Sequence, residues 1–596
     1  MLRALYDYAV QEQLTLPAGY VKKNVRAYVS LAKDGRFLGI MPGSAEKVPC
    51  PDIGSMANSG DKCNVLAEKR CILFPADEKQ RDKYAAKASY FRSALADAAR
   101  AEPALELCLN AMEDKETAAA VSAELDKLKL DGAKVISFMV DGHSVLELPA
   151  ILSWWEQFRQ PFCPSGAKAP CMITGQLTVP MTTVPPISGL SSVGGHARGD
   201  ALICFDKDAF CSYGLKQAAN APVSERAFAG VKAALDELLT DAPVLAGMKF
   251  VHWYDRPVET PQDVIYQAFG AAIPDEEDAE GETAPPADPD RCQARREATA
   301  LIDSVKTGRT VHTLPNMYYI LLLSGVNGRV MVRAYQQGNY QLLTEHLKQW
   351  QEDLALTNSA GTGCIRPVKF RARLIRLISR QSSDRNIFDR MAKELAGLTP
   401  AIVNAVITGA QLPNAVACRA LSYIRSQMFT PEEEERGVKT PDPQACQWLK
   451  AWLCRRERNK YQKEELSVEY NEKHPDSAYH CGALVAVYGA IQNCAMPDVN
   501  SSLIDRYYAS AIQTPAMVLG QLSRVSNYHV SKLEGLRHYF TCLRDQVACA
   551  IGAEIPTVLL PEQQAYFALG YYQMCAKLEK DRRERKAAAA AAKKPS

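Results

Sequence analysis

The chain has 596 residues, enough for several domains at roughly 100–200 residues each, and its 47% hydrophobic and 23% charged residues are the composition of a globular protein. Lys and Arg total 70 against 68 Asp and Glu, a formal charge of +2, which excludes a polycation and confines any nucleic-acid binding to local patches. No apolar run approaches the roughly 18 residues of a membrane span, and the N-terminus MLRALYDYAVQEQ lacks a signal-peptide core, so a cytoplasmic protein that does not enter a membrane is expected.

The pattern predicts an α+β fold: a mixed α/β N-terminal region followed by a mainly helical region that ends in a C-terminal helical bundle. The first region, 1–270, opens on a helix at MLRALYDYAVQEQ. RAYVSLAKDGRFLGI (26–40) reads as two strands around an Asp34-Gly35 turn. Lys22, Lys23, Arg26, Lys33 and Arg36 surround that hairpin, and Lys62, Lys69 and Arg70 follow. These cations are either solvated surface charge or contacts to DNA phosphates. GSMANSGDK (54–62) comes nearest to a phosphate loop, but it has one residue too many and Asp61 where the loop needs Lys.

KVISFMVDG (134–142) is a further strand. His143, in the turn DGHS, and His252, in a strand at VHW, read as structural or surface histidines rather than general bases. Cys163 and Cys171 in CPSGAKAPC are the nearest approach to paired metal ligands, yet no C-x-x-C and no second pair accompanies them, so neither metal nor other cofactor is expected.

TGQLTVPMTTVPPISGLSSVGGHARGD (174–200) is long and rich in Gly, Ser, Thr and Pro, as functional or disordered loops are. In the functional reading Gly194 and Gly195 let backbone approach a ligand, while Gln176, Ser191, Ser192, His196 and Arg198 supply hydrogen bonds to phosphates or base edges. ALICF (201–205) reads as a strand and Asp206-Lys207-Asp208 as a turn. A polar loop through Tyr213-Gly214 and Asn220-Ala221-Pro222 then leads to a helix capped by Ser224, with Glu225 in its first turn. Phe228, Val231, Leu235 and Leu238 form its apolar face.

AAIPDEEDAEGETAPPADPD (271–290) carries eight acids, four prolines and no base, the composition of a disordered acidic linker or insert, taken to run over 271–295. A mainly helical middle domain, 296–478, follows, with a short strand near 328–335 in GRVMVRAYQQG and the amphipathic helix YQLLTEHLKQWQEDL. RPVKFRARLIRLISR (366–380) holds Arg366, Lys369, Arg371, Arg373, Arg376 and Arg380 and no acid. Helical from Phe370, it would align Arg373, Arg376 and Arg380 as a phosphate-contacting strip, or as a cationic surface pairing with the acidic linker or another subunit. WLCRRERNKYQK (452–463) repeats the pattern with Arg455, Arg456 and Arg458, diluted by Glu457.

Residues 479–580 contain successive short helices, ALVAVYGAIQNCA, SSLIDRYYASAI, PAMVLGQLSRVS and SKLEGLRHYFTCLRDQVACAI, with the short loops of an antiparallel bundle. The basic, Ala-rich tail 581–596 is expected to fray. The 18 cysteines, several in apolar helical stretches such as Cys418, Cys494 and Cys549, read as buried free thiols of a reducing compartment. No H-E-x-x-H, G-x-S-x-G or carboxylate cluster is present, so no enzyme is expected.

Three ordered segments carry a family resemblance. The first is Phe205, Ser212-Tyr213-Gly214, Gln217 and Asn220-Ala221-Pro222-Val223-Ser224, preceded by ITG (173–175) and the Gly/Ser-rich loop. The second is the helix with Tyr479, Gly482, Ile491 and Gln492, and the third comprises IDRYYASAIQTPA (504–516) and EQQAYFALGYYQ (562–573). Together they resemble the large subunit of the type I-C CRISPR surveillance complex, Cascade, over nearly the whole chain.

The resemblance implies a noncatalytic, RNA-guided role in a prokaryotic cytoplasm. The large subunit recognises the protospacer-adjacent motif in double-stranded DNA and helps open the duplex. Its helical bundle, like a small subunit, helps to hold the displaced single strand. Implied partners are the guide-RNA ribonucleoprotein, with its backbone, crRNA-processing and small subunits, and a nuclease-helicase that docks after the R-loop has formed. Loop 174–200 and hairpin 26–40 are the candidates for motif reading. Lys369, Arg371, Arg373, Arg376, Arg380, Arg455, Arg456 and Arg458 are those for backbone or displaced-strand contacts. In such proteins the bundle is also translated separately from an internal start, for which Met496 or a valine codon at Val485 or Val487 is suited. Two alternatives are a scaffold that touches guide RNA and proteins without reading DNA, and a metal-dependent nuclease.

Overall fold

The computed structural model describes residues 1–57, 60–163, 166–211, 213–258, 263–269, 316–379, 386–429, 438–460, 466–497 and 502–592. The chain forms two compact units, Met1–Gly189 with Arg198–Thr240, and Leu190–Ala197 with Asp241–Ser596. The acidic stretch 271–290 lies outside the described residues.

The first unit contains α1 (Leu2–Gln11), β1 (Tyr20–Lys23), β2 (Val25–Leu31), β3 (Phe37–Pro42), β4 (Val48–Pro51), β5 (Glu68–Lys69) and α2 (Arg70–Leu73). Then come α3 (Glu78–Ala99), α4 (Ala104–Glu113), α5 (Lys115–Lys127), β6 (Val135–Val140), β7 (His143–Ser144), α6 (Pro149–Phe158), β8 (Ala169–Pro170), β9 (Leu177–Thr178) and α7 (Glu225–Thr240). Strand order in the main sheet is β3-β2-β6-β5, with β7 paired to β6. In β2, Val25, Ala27, Val29 and Leu31 are buried while Arg26 between them is exposed, the period-2 signature of a half-buried strand. Central β6 runs parallel to β2, and the helices α3 to α5 make the connection that a return to the sheet requires. Asp77 caps α3 by accepting from Gln80 N at 2.7 Å, and Asp114 caps α5 through Thr117 N at 2.9 Å.

The hairpin predicted at 26–40 is β2–β3, its Gly35 at φ +86°, a left-handed conformation that glycine takes readily. Ser224 caps α7 through Ala227 N at 3.2 Å, and Leu239, rather than Leu238, completes the buried face. The run Ala201–Phe205 is not a strand. It continues irregularly from the Ile187–Asp200 bridge and leaves Cys204 exposed, because a short apolar run lacks the length that separates strand from loop.

The second unit is built on a four-stranded antiparallel sheet of β10 (Val244–Leu245), β11 (Met248–Tyr254), β12 (Met317–Val326) and β13 (Arg329–Asn339), in that order. Strands β11 and β12 pair although the acidic stretch lies between them in sequence. A short helix, α8 (Val264–Phe269), precedes β12 in the chain. Helices α9 (Tyr340–Leu354), α10 (Phe370–Ile375), α11 (Ile387–Leu395), α12 (Thr399–Thr408), α13 (Asn414–Phe429) and α14 (Pro443–Lys460) follow. The terminal helices are α15 (Ser477–Ala495), α16 (Leu503–Ala511), α17 (Pro515–Ser531), α18 (Arg537–Ile551) and α19 (Pro561–Ala592). One apolar core runs from β11 and β12 into the bundle.

Two glycines let α15 and α19 approach closely. A Cβ on Gly482 would lie 2.0 Å from Phe567 O, and one on Gly570 would lie 2.0 Å from Tyr479 O. Helix α16 starts with a full capping box between Ser502 and Asp505.

One expectation is corrected in this unit, and helix α19 continues into the basic tail as far as Ala592. Ala is the best helix former, and Glu579 pairs with Arg582 and Arg583 one turn on. Cys418, Cys494 and Cys549 are exposed, whereas Cys446, Cys454, Cys481 and Cys575 are buried. An apolar helical neighbourhood does not say which face a thiol occupies. Among the described residues no helix is long and apolar enough to cross a membrane.

Candidate nucleic-acid interface

Five of the predicted cations of the first unit stand in solvent: Lys22, Arg26, Lys33, Arg36 and Lys69. Lys33 and Arg36 flank the β2–β3 turn. There Gly35 N donates to Ala32 O and Ala32 N to Arg36 O, both at 2.9 Å, while Arg36 N donates to Asp34 Oδ1 at 3.1 Å. The turn is thus a built element that carries charge at its tip. Arg26 lies at the other end of β2, roughly 20–25 Å away by strand rise. Lys69 pairs in register with Val135, and Val135 with Val25, so Lys69 stands at the Arg26 end about 10 Å across the sheet. The cations span about six base-pair steps of a duplex.

The other three are engaged within the protein. Lys23 Nζ pairs with Asp52 Oδ2 at 2.7 Å, both side chains mostly buried. Lys62 holds its ammonium 4.5 Å from the centre of the Phe162 ring, a cation–π contact. Arg70 is buried, donating from Nη1 to Leu130 O at 2.6 Å and pairing with Asp126. It opens α2 immediately after exposed Lys69, so two adjacent cations point to different environments. Arg70 is therefore removed from the candidate DNA contacts.

Loop 174–200 divides between the units. Gln176 and Arg198 belong to the first, whereas Ser191, Ser192, Gly194, Gly195 and His196 belong to the second. Gly194 and Gly195 are used differently from the expectation. A Cβ on Gly194 would come 2.7 Å from Gly325 O, and one on Gly325 would come 2.1 Å from Gly195 Cα. The close backbone approach is made to β12, not to a ligand. Gln176, Ser191, Ser192, His196 and Arg198 are exposed.

The arginine strip of the middle region is overturned. Helix α10 ends at Ile375, so the spacing of 373, 376 and 380 is not held on one helix, and Phe370, Leu374, Leu377 and Ile378 draw the segment into the core. Arg373 is buried, donates from Nη1 to Gln447 Oε1 at 2.8 Å, and has its pKa lowered to about 10 by desolvation. Arg376 pairs with Asp442 at 3.1 Å, and the Arg371 guanidinium lies 4.5 Å over the Phe388 ring. Lys369 directly precedes α10 and is half-buried. Arg380 lies outside the described residues.

In α14, Arg455 and Asp353 form an ion pair whose side chains are each 1% exposed, with Nε donating to Oδ2 at 2.8 Å. Arg455 also donates to Ala410 O at 2.9 Å and stacks over Trp350. Arg456 pairs with Glu562 at 2.9 Å. The side chain of Arg458 lies outside those described. Burial excludes Arg373 and Arg455 from phosphate contact.

The structure adds a surface that charge counting missed. On α17, Pro515, Val518, Leu519, Leu522, Ser526 and His529 are buried. The opposite face presents Met517, Gln521, Arg524, Val525, Tyr528 and Ser531 to solvent, with Lys532 just beyond the helix. Tyr528 is 61% exposed and Lys532 Nζ sits 4.5 Å from its ring centre. The helix contains no acid. An aromatic and cationic stripe of this kind suits stacking and phosphate contact along single-stranded nucleic acid. The signal that could have found it was the absence of Asp and Glu over 515–531, not an abundance of Arg.

Cys171 accepts from Ser224 N at 3.3 Å. Burial raises its pKa, but the N–H groups of Ser224, Thr174 and Ile173 outweigh burial and bring it down to about 7. The Cys163 thiol instead contacts Arg159 O at 3.5 Å. Among the described residues, no three His, Cys, Asp or Glu side chains gather closely enough to hold a metal ion.

A family model described as CRISPR-associated protein (Cas_Csd1) matches residues 2–578. No curated protein matches the chain.

Proposed function

The chain belongs to the Cas_Csd1 family, the large subunits of the type I-C Cascade complex of CRISPR antiviral defence, and from that premise we propose that it is the noncatalytic subunit that reads the protospacer-adjacent motif. In this reading it grips duplex DNA flanking the target, promotes opening and R-loop formation, steadies the displaced strand and recruits the nuclease-helicase. Base pairing by the guide RNA, carried by the other subunits, supplies the rest of the sequence specificity.

The observation that carries the reading is the row of exposed cations, Arg26, Lys69, Lys33 and Arg36, strung along a rigid hairpin and sheet rather than on a loose loop. Phosphate contacts from such a row position a protein on duplex DNA, and nearby polar groups then read base edges. The acid-free face of α17 supports the displaced-strand role.

A scaffold reading is favoured by one observation, that the arginines of the middle region turn inward. Salt dependence separates the two. The assembled complex carrying Lys33→Ala and Arg36→Ala should bind target duplex more weakly, with the slope of log K against log salt reduced in magnitude by about 1.8 for two lost phosphate contacts. Unchanged affinity and slope would remove the hairpin from the interface and favour the scaffold.

A further inference from the structure

Helix α18 has a buried face and a solvent face. Phe540, Leu543, Val547 and Ile551 turn into the core, whereas His538, Cys542, Asp545 and Cys549 stand in solvent. His538 and Cys542 are one helical turn apart, the spacing at which side chains meet on a helix surface. Cys542 Sγ lies 3.6 Å from His538 Nε2 and 3.8 Å from Nδ1. Among the described residues, no other exposed thiol contacts an imidazole.

The charges nearby are engaged elsewhere. Arg537 donates from Nη2 to Ser531 O at 2.6 Å and from Nε to Val530 O at 3.3 Å. Arg544 donates from Nε to Asp545 Oδ1 and from Nη1 to Asn527 Oδ1, both at 2.9 Å, which occupies the one carboxylate on this face. Cys549 lies two turns beyond Cys542, about 10.5 Å along the axis, too far to share an ion with His538.

A thiol and an imidazole in water gain little from each other, because solvent offers each the same hydrogen bonds. A metal ion gains from both. A tetrahedral zinc ion about 2.3 Å from a Cys sulfur and about 2.0–2.1 Å from a His nitrogen sets those donors roughly 3.5–3.6 Å apart. The Sγ to Nε2 distance of 3.6 Å matches that spacing. Because the sulfur is nearly equidistant from both ring nitrogens, the ring must turn about χ2, a broad torsion, to aim a lone pair at the ion. Both side chains are exposed and have room to do so. His538 also lies in the first turn of α18, where the positive end of the helix dipole favours the neutral imidazole that a metal requires.

We propose that His538 and Cys542 form an open two-donor site for a divalent cation of the zinc class, with water in the remaining positions. Binding exchanges a proton for the metal: the S–H bond breaks, its electron pair forms the sulfur–metal bond, and the proton passes to solvent. The neutral pair thereby acquires a single net positive charge. Mg²⁺ and Ca²⁺, which prefer oxygen donors, do not compete. The site is independent of the DNA-binding reading above.

The test titrates the reduced full-length chain with Co²⁺, whose thiolate complexes absorb through sulfur-to-metal charge transfer, and then adds Zn²⁺. The site predicts a band from one thiolate that Zn²⁺ removes and excess Mg²⁺ leaves in place. Cys542→Ser should abolish it. His538→Ala should weaken Co²⁺ binding at least about 10-fold, since even a group that only orients a metal ligand is worth that much. Cys549→Ser, on the same face, should titrate like wild type. All three substitutions are at exposed positions, where the fold tolerates change. A wild-type chain without the band, a band that survives Cys542→Ser or is lost in Cys549→Ser, or Co²⁺ affinity unchanged by His538→Ala overturns the proposal, and each leaves the DNA-binding reading intact.

Discussion

Hairpin β2–β3 and helix α14 carry the same kind of side chain and use it in opposite ways. On the hairpin, Arg26, Lys33 and Arg36 alternate with or flank buried Val25, Ala27, Val29 and Leu31, so the pleat sends the cations to water. On α14, Arg455 follows Trp448, Leu449, Ala451, Trp452, Leu453 and Cys454, all buried. A helix surrounded on nearly all sides leaves no exposed face for it. Its charge is satisfied inside by Asp353 and backbone carbonyls. The density of basic residues therefore says less about a DNA surface than the apolar pattern in which they sit.

Removing cations from the two regions should break the comparison if it is wrong. Arg455→Ala leaves Asp353 buried without its partner, and unfolding by denaturant should show a loss of about 3–5 kcal/mol. A change within about 0.5 kcal/mol would mean that Arg455 reaches solvent. By contrast, Arg26→Ala with Lys69→Ala should change stability by no more than about 0.5 kcal/mol per site while weakening target binding.

The bundle sharpens the contrast through its neutral buried groups. His474 stacks on Tyr479 with ring centres 4.3 Å apart, and burial lowers its pKa to about 4, with His480 adding to the shift. An unfolded histidine titrates near 6.5. Between these values the unfolded state binds the extra proton, so stability present above about pH 6.5 is lost as pH falls toward 4. The full effect is on the order of 3 kcal/mol, read as a pH-dependent denaturation midpoint that His474→Asn should flatten.

Somewhat smaller is the effect of Gly482→Ala, which forces a methyl group against Phe567 O across the α15–α19 crossing. Overpacking of this kind costs about 1–3 kcal/mol. Differential scanning calorimetry should show it, whereas Gly520→Ala, where a Cβ meets nothing, should be neutral or slightly stabilising. The smallest expected effect on stability is that of Tyr528→Ala on exposed α17, within about 0.5 kcal/mol. Its readout is instead increased nuclease sensitivity of the displaced strand.

Much of the fold was legible because it rests on local rules. The Asp34-Gly35 turn, the Ser224 cap, the strand at 134–142 and the helices from 477 onward follow from turn chemistry, capping and periodicity. The family was legible through the spacing of SYG, NAPVS and the Tyr479 helix, and the match over 2–578 places the chain there. What escaped depended on tertiary partners. Nothing local indicates that Gly194 and Gly195 would be used to reach Gly325, or that Arg373 would meet Gln447 across 74 residues. The exposed stripe on α17 escaped because it is marked by missing acids rather than by dense arginine.

The most direct test of the central claim is equilibrium binding of short duplex targets that differ only in the flanking motif, by the assembled complex with and without this chain. Loss of discrimination when the chain is absent is the predicted result. Discrimination that survives without it would assign motif reading to another subunit and contradict the account.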